Sequence, residues 1–159
     1  MLRARDTLRK EIAALHRQLL AIARGDDVCR RMMTVPGVGA LTALSFKTGI
    51  DDPSRFTSSK RVGAHFGLTP RKYQSGETDI TGRITKAGDA MVRTALYEAA
   101  QSMLTRVKSF SRLKRWAMAV AKRRGMRRAK IALARKLAIV LHRMWIDGTD
   151  FRFGKETIA

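Results

Sequence analysis

Ser75 and Gly76 sit in the stretch YQSGETDITGRITKAGD, residues 73–89, with Arg71 and Lys72 at its start, Arg83 and Lys86 within it, and Arg93 a few residues on. A serine hydroxyl attacks a phosphodiester once its proton is removed and the charge developing on the phosphoryl oxygens is neutralised. The five cations suit the second requirement, and the glycine lets backbone approach a substrate closely. The first requirement has no obvious agent. No histidine is near, and Asp79, Glu77 and Asp89 read respectively as a turn residue, a surface charge and a first-turn helix residue. A loop serine is also an ordinary turn residue, so nucleophile and turn both stand as readings of Ser75 from the residues alone.

A second candidate is TVPGVGALTALSF, residues 34–46. Its Gly37 and Gly39 have the form of a helix-hairpin-helix turn, in which backbone N–H groups at the start of the next helix meet a phosphate and the helix dipole favours the anion. The competing reading is a close packing corner between two helices.

The elements that must position these residues are mostly helical. Leu8, Ile12, Leu15, Leu19 and Ile22 step by four and three, which predicts a helix over residues 2–24 with coiled-coil spacing for about two heptads. Gly25 breaks it, and Asp27 is the expected cap of a short helix reaching Met33. Pro36 and the two glycines make a turn before a helix over Ala40–Lys47. Asp52-Pro53 breaks the chain again, and a short helix is expected from Ser58 to His65, capped by Ser58 or Ser59 and ended by Gly67. A short hairpin is expected around residues 72–84, where Ile80 and Ile84 are the β-prone apolar residues. Beyond Lys86 three apolar faces follow: Met91 to Leu104, Phe110 to Val120, and Ile131 to Trp145. Ser109 is read as a cap and Gly125 as a break.

Charge is the strongest compositional signal. The 159 residues carry 33 Lys and Arg against 13 Asp and Glu, a formal charge of +20. Such an imbalance drives self-repulsion unless a polyanion shares the space, which makes nucleic acid the leading partner. From residue 99 to residue 146 there are fourteen Lys and Arg and no acid. Arg123, Arg124, Arg127 and Arg128 stand off the apolar stripes there, as a phosphate-gripping face without sequence preference. Cys29 is the only cysteine, so no intrachain disulfide forms. His16, His65 and His142 share no ligand spacing with it, and no metal site is expected. With no run of about 18 apolar residues and a charged N-terminus, neither a membrane nor a signal peptide is expected, and the location is read as cytoplasmic.

The ordered set TVPGVG, ALSF, RF and SSKRVGAHFGLTPRKYQSGETDITGRITKAGDAMVRTALYEAA closely resembles the C-terminal transposase domain of the Piv-type DEDD insertion-sequence transposases. That family includes the Piv site-specific DNA invertases and the bridge-RNA-guided recombinases. The resemblance runs from about Thr34 to Gly148 and is densest from Phe66 to Ala100. It implies that Ser75 is the nucleophile that cuts and joins DNA through a phosphoserine link, with DNA as partner and a guide RNA as a further one. It also implies an N-terminal RNase H or RuvC-like domain with four metal-binding acids, followed by a coiled-coil region. Residues 2–24 match the end of that region, and the four acids have no counterpart in this sequence. Mg²⁺ is therefore expected only with that domain, no cofactor is expected in this chain, and the chain alone is expected to be inactive. Glu77 departs from the pattern, since a small or neutral residue is more usual after the Ser-Gly pair.

The resulting expectation is a mainly α fold with a helix-hairpin-helix-like turn and a short loop or hairpin insertion. Its divisions are a coiled-coil-like region over 1–33, a transposase domain over 34–148 and a tail over 149–159. The expected function is the DNA-binding part of a transposase or recombinase, homo-oligomeric through its first helix. A non-catalytic nucleic-acid-binding module or regulatory fragment is the alternative, and an oligomerisation piece a weaker one.

Overall fold

The computed structural model describes residues 2–75 and 78–154. Gly76 and Glu77 lie outside the described residues, as do the side chains of residues 2, 72–75 and 78–81, those of Lys72 and Ser75 among them. The architecture is mainly α, with one two-stranded sheet.

Helix α1 (Leu2–Gly25) forms where the four-and-three spacing predicts it. Only its last turns meet the rest of the chain, with Ala23 buried and Leu20 partly so, while Leu8, Ile12, Leu15 and Ile22 are 58–64% exposed. The cap of α2 (Asp27–Met32) is Asp26 rather than Asp27. Asp26 has the extended backbone that a cap requires, accepts from the Cys29 N–H at 2.9 Å, and pairs with the Lys47 ammonium of the next helix. That ammonium holds the Asp26 carboxyl below its usual range. Burial pushes the Cys29 thiol up to about 11, so it is an inert core group at neutral pH.

At Gly37 φ is +89°, and a Cβ there would lie 2.7 Å from the Ala99 carbonyl oxygen and 2.9 Å from the Met103 nitrogen. The close approach that this glycine permits is therefore to the chain's own helical backbone at residues 99–103. Gly39 is different: it caps α3 (Ala40–Ile50) with φ −99°, and a Cβ on it would meet nothing within 4 Å.

The helix expected over Ser58–His65 splits into a 3₁₀ turn, Ser59–Arg61, capped by Ser58, and one turn of α4 (Val62–His65). His142 ties this segment to the turn before it. Fully buried, it donates from Nε2 to the Pro53 carbonyl at 3.0 Å and accepts from the Ser59 hydroxyl at Nδ1 at 2.9 Å. It thereby pins the Pro53–Arg55 turn and the Ser59–Arg61 turn to one side chain.

Strands β1 (Pro70–Ser75) and β2 (Thr78–Ile84) form an antiparallel hairpin that begins two residues before the expected start. Pro70 pairs with Ile84 and Lys72 with Thr81, so β2 carries one extra residue between these pairs, at Gly82-Arg83. A glycine in that place suits a bulge.

Asp89 caps α5 (Ala90–Thr105) instead of lying in its first turn, accepting from Met91 N at 2.7 Å and Val92 N at 3.2 Å. Ser111, not Ser109, caps α6 (Arg112–Arg124), its hydroxyl accepting from Lys114 N at 3.1 Å. Gly125, at φ +81°, separates α6 from α7 (Met126–Asp147). Leu133, Leu137 and Leu141 of α7 are fully buried among Leu96, Met103, Val35 and Phe46 in the single core cluster. Each such burial contributes about 1.5–3 kcal/mol. Past Gly148 the chain returns over the body: Phe151 N donates to Thr34 Oγ1 at 2.9 Å, and the Phe153 carbonyl accepts from Arg112 N at 3.1 Å.

The two turn glycines are separable by stability. Gly37→Ala should lower unfolding free energy by about 2–4 kcal/mol through overpacking and backbone strain, whereas Gly39→Ser should change it by no more than a few tenths, upward. Urea titration with a two-state fit measures both; equal, small effects would mean that α5 does not need the close crossing.

Candidate nucleic-acid interface

Between the hairpin root, α6 and α7 lies an open groove of about 1050 Å³. Its floor is apolar, built by Leu68, Ile84, Val120, Ile131 and Ile139 with the ring of Trp116 beside them. Of the cations singled out in the sequence, the fold brings Arg83, Lys86, Arg124 and Arg128 together on its walls. It adds Lys60, Arg135 and Lys136, which sequence reasoning missed. Among the described residues no carboxylate lines the groove.

The geometry follows from local spacing. On α6, Trp116, Val120 and Arg124 are four apart; on α7, Arg128, Ala132, Arg135 and Ile139 recur at four, three and four, so each set shares a face. That second stripe is a mixed basic and apolar pattern, readable in the sequence but hidden there by the stronger Leu133–Leu137–Leu141 stripe beside it. Arg135 reaches the groove across α4, where Gly63 makes room: a Cβ at Gly63 would sit 2.8 Å from Arg135 Cγ. The Lys136 ammonium stands 5.7 Å from the centroid of Trp116, a cation–π distance.

The remaining sequence candidates are placed elsewhere. Arg123 and Arg127 are exposed at the α6–α7 junction but do not line the groove. Gly37 and Gly39 also stand apart from it, on the α2–α3 turn. Arg71 is exposed beside the bulge and donates to the Thr85 carbonyl at 3.4 Å. Arg93 is half-buried, and its Nη1 faces three carbonyl oxygens: Ala87 at 3.0 Å, Phe66 at 3.3 Å and Gly88 at 3.5 Å. It latches the segment before the hairpin to the segment after it.

Two glycines complete that latch. Gly67 and Gly88 have φ +65° and +72°; a Cβ on the first would fall 2.3 Å from Ala87 N, and on the second 2.0 Å from the His65 carbonyl oxygen. Lys86 itself takes φ +57°. The Thr85 N–H donates to Thr69 and the Lys86 N–H to Gly67, closing the root. From it β1 rises to Ser75, whose backbone pairs with Thr78 at the last described rung.

Among the described residues no group of three or more His, Cys, Asp or Glu side chains comes together to hold a metal. No described helix is long and apolar enough to cross a membrane.

Fold and site together define a small helical domain with a β-hairpin rooted beside a cation-walled groove whose described lining residues include no acid. The model of the Transposase IS116/IS110/IS902 family matches residues 29–117, more than half of the chain. The chain is 37% identical to the transposase for insertion sequence element IS1111A of Coxiella burnetii over 86% of its own length and 38% of that protein. Against the transposase for insertion sequence element IS1328 of Yersinia enterocolitica, identity is 32% over 89% of the chain and 43% of that protein. A shorter match, 34% identical over 42% of the chain and 21% of the relative, is to the pilin gene-inverting protein of Moraxella bovis. The chain belongs to the IS116/IS110/IS902 transposase family. It spans about two fifths of the length of the curated transposases it matches.

The matched segment contains the hairpin and its root, where Arg93 acts. Arg93→Ala leaves three carbonyls without that donor and should cost about 1–3 kcal/mol. Hydrogen exchange should then quicken at the Thr85 and Lys86 amides ahead of those in α7; unchanged exchange at the root would remove Arg93 from this role.

Proposed function

We propose that this chain is the DNA-gripping and strand-joining part of a transposase, with Ser75 as nucleophile. The observation that carries the reading is that Ser75 ends a strand rooted beside a cationic groove with no acid among its described lining residues. Ser75 Oγ bonds to the scissile phosphorus as one ester P–O bond to deoxyribose breaks. The hydroxyl proton passes to a general base, and the departing sugar oxygen takes up a proton. Attack of a strand hydroxyl on the phosphoserine reverses the sequence and restores the serine. Arg71, Lys72, Arg83 and Lys86 hold phosphates around the reacting centre and stabilise the charge that grows there; Arg93 keeps the hairpin root in place. Arg123, Arg124, Arg127 and Arg128 grip the flanking backbone. Gly76, next to Ser75 in sequence, permits close approach, and the Gly37–Gly39 turn presents its backbone to a more distant phosphate. The acids that would hold Mg²⁺ belong to another part of the whole transposase. The exposed stripe of α1, Leu8 to Ile22, supports pairing with a second copy.

Two measurements test this. With the full-length transposase and a suicide DNA substrate, a covalent protein–DNA adduct should form and should vanish in Ser75→Ala; an adduct that survives the substitution sinks the nucleophile. For the grip, log affinity for duplex DNA should fall steeply with log salt, and Arg124→Ala and Arg128→Ala should each flatten the slope by about one. A slope near zero in the unmodified chain would show that the cations do not meet phosphate.

A further inference from the structure

The groove is more than a charged surface, and its floor is the part that duplex binding leaves unexplained. A double helix shows a protein surface its phosphates and sugars, while the base faces remain stacked inside. A wall of cations alone would suit it. Here the cations rim an apolar trough of about 1050 Å³, at the upper end of what a cleft for a small organic ligand occupies. Within it, the Trp116 indole is 38% exposed on a helix whose buried face is carried by Ala117 instead. Val120 and Ile131 extend the same apolar surface along α6 and α7. Flat aromatic surface flanked by backbone-tracking cations, with no carboxylate among the described lining residues, is the combination that takes unpaired strands: bases stack on the ring, and phosphates lie along the rim.

We propose that this groove seats an unpaired segment of the DNA strand, with a base stacked on Trp116 and its phosphates on Arg124, Arg128 and Lys136. Lys136, 5.7 Å over the indole, moves from the ring to a phosphate or sandwiches the indole with the incoming base. Because Arg83 and Ile84 of β2 form one wall, the seated strand lies at the hairpin root and continues toward the tip. The inference rests on the strand-joining reading and deepens it: the substrate presented to the hairpin is locally unpaired, not continuous duplex.

The test uses the whole chain and fluorescein-labelled oligonucleotides of one length: duplex DNA, single-stranded DNA, single-stranded RNA, and a duplex with a short unpaired gap. Trp145→Phe leaves Trp116 as the sole tryptophan. Its emission should be quenched by single-stranded and gapped DNA and much less by duplex. Trp116→Ala should weaken binding of the unpaired DNAs about tenfold or more and duplex binding less than twofold, with Trp116→Tyr restoring most of the difference. Equal loss for duplex and unpaired DNA, or no quenching, overturns the proposal, as does a preference for RNA over single-stranded DNA. Burial of the groove between two copies, seen as sedimentation of a dimer that Trp116→Ala dissociates, overturns it as well. The strand-joining reading is separable: if it is correct and only this inference fails, the Ser75-dependent adduct and the salt-dependent duplex binding remain. Circular dichroism and an unchanged melting temperature confirm that the variants are folded.

Discussion

Helix α7 is the constraint on which both core and groove depend. Its Leu133, Leu137 and Leu141 fill the core, and one turn-face away Arg128, Ile131, Arg135 and Ile139 build the groove. These stripes are interleaved on a single helix, so its rotation is fixed from both sides. Turning it by one residue would drive Arg135 toward the dry interior. An unpaired guanidinium there costs far more than the packing of one leucine returns. Loops of the α4 region are tied to the same helix by His142, whose two ring nitrogens hold Ser59 and Pro53. The groove is therefore no looser than the core it shares a helix with.

A basic groove has to hold its cations without cancelling them. Carboxylate partners would stabilise each side chain and erase the field that attracts a polyanion. The molecule uses neutral partners instead. On the groove wall Lys136 stands over Trp116; outside the groove Lys130 stands over Tyr97 and Lys114 over Phe110, and Lys130 also donates to Gln101 at 3.1 Å. Lys114 reaches the Val107 carbonyl, and Arg93 reaches three carbonyls of the hairpin root. Aromatic faces and carbonyl oxygens attract a cation through fixed partial charges and leave its net charge in place. Along the apolar floor, where solvent screening is reduced, that retained charge acts more strongly on a phosphate than it would on an open surface.

Much of this was legible in the residues. The mainly α class, the order of helices, the hairpin, and the family resemblance around TVPGVG and GLTPRKYQSGETDITGRITKAG all follow from spacing and motif. The errors cluster at boundaries and have a common cause. Asp26, Asp89 and Ser111 act as caps in place of the neighbouring positions read from the sequence, where the backbone is held extended, as Lys47 helps to hold it at Asp26, and the neighbouring polar residues offered equal local chemistry. The groove was only half readable: Arg83, Lys86, Arg124 and Arg128 stood out as charge, but Lys60, Arg135, Lys136 and Trp116 join them through packing between elements distant in sequence. Gly37 shows the same limit from the other side. Its motif suggests a phosphate turn, and the contact that demands a glycine is with Ala99 and Met103, more than sixty residues on.

Strand geometry gives the hairpin root its importance. From Pro70 to Ser75 an extended chain rises about 16 Å at the usual advance per residue, so the backbone of Ser75 lies that far along the strand from the root. A lever of that length magnifies error: tilting the root by about 10° displaces its far end by roughly 3 Å, and a misplacement of about 1 Å can cost a reaction two orders of magnitude. A flexible loop could carry a serine the same distance but could not hold it still. The backbone contacts at Gly67 and Gly88, which leave no space for a methyl group, and the Arg93 bridge across the two segments suppress that tilt at its origin. The bulge at Gly82-Arg83 then sets the direction in which the strands leave. An arginine whose sequence context suggests phosphate binding, together with Gly67 and Gly88, thus acts from below, by fixing the platform from which the hairpin extends.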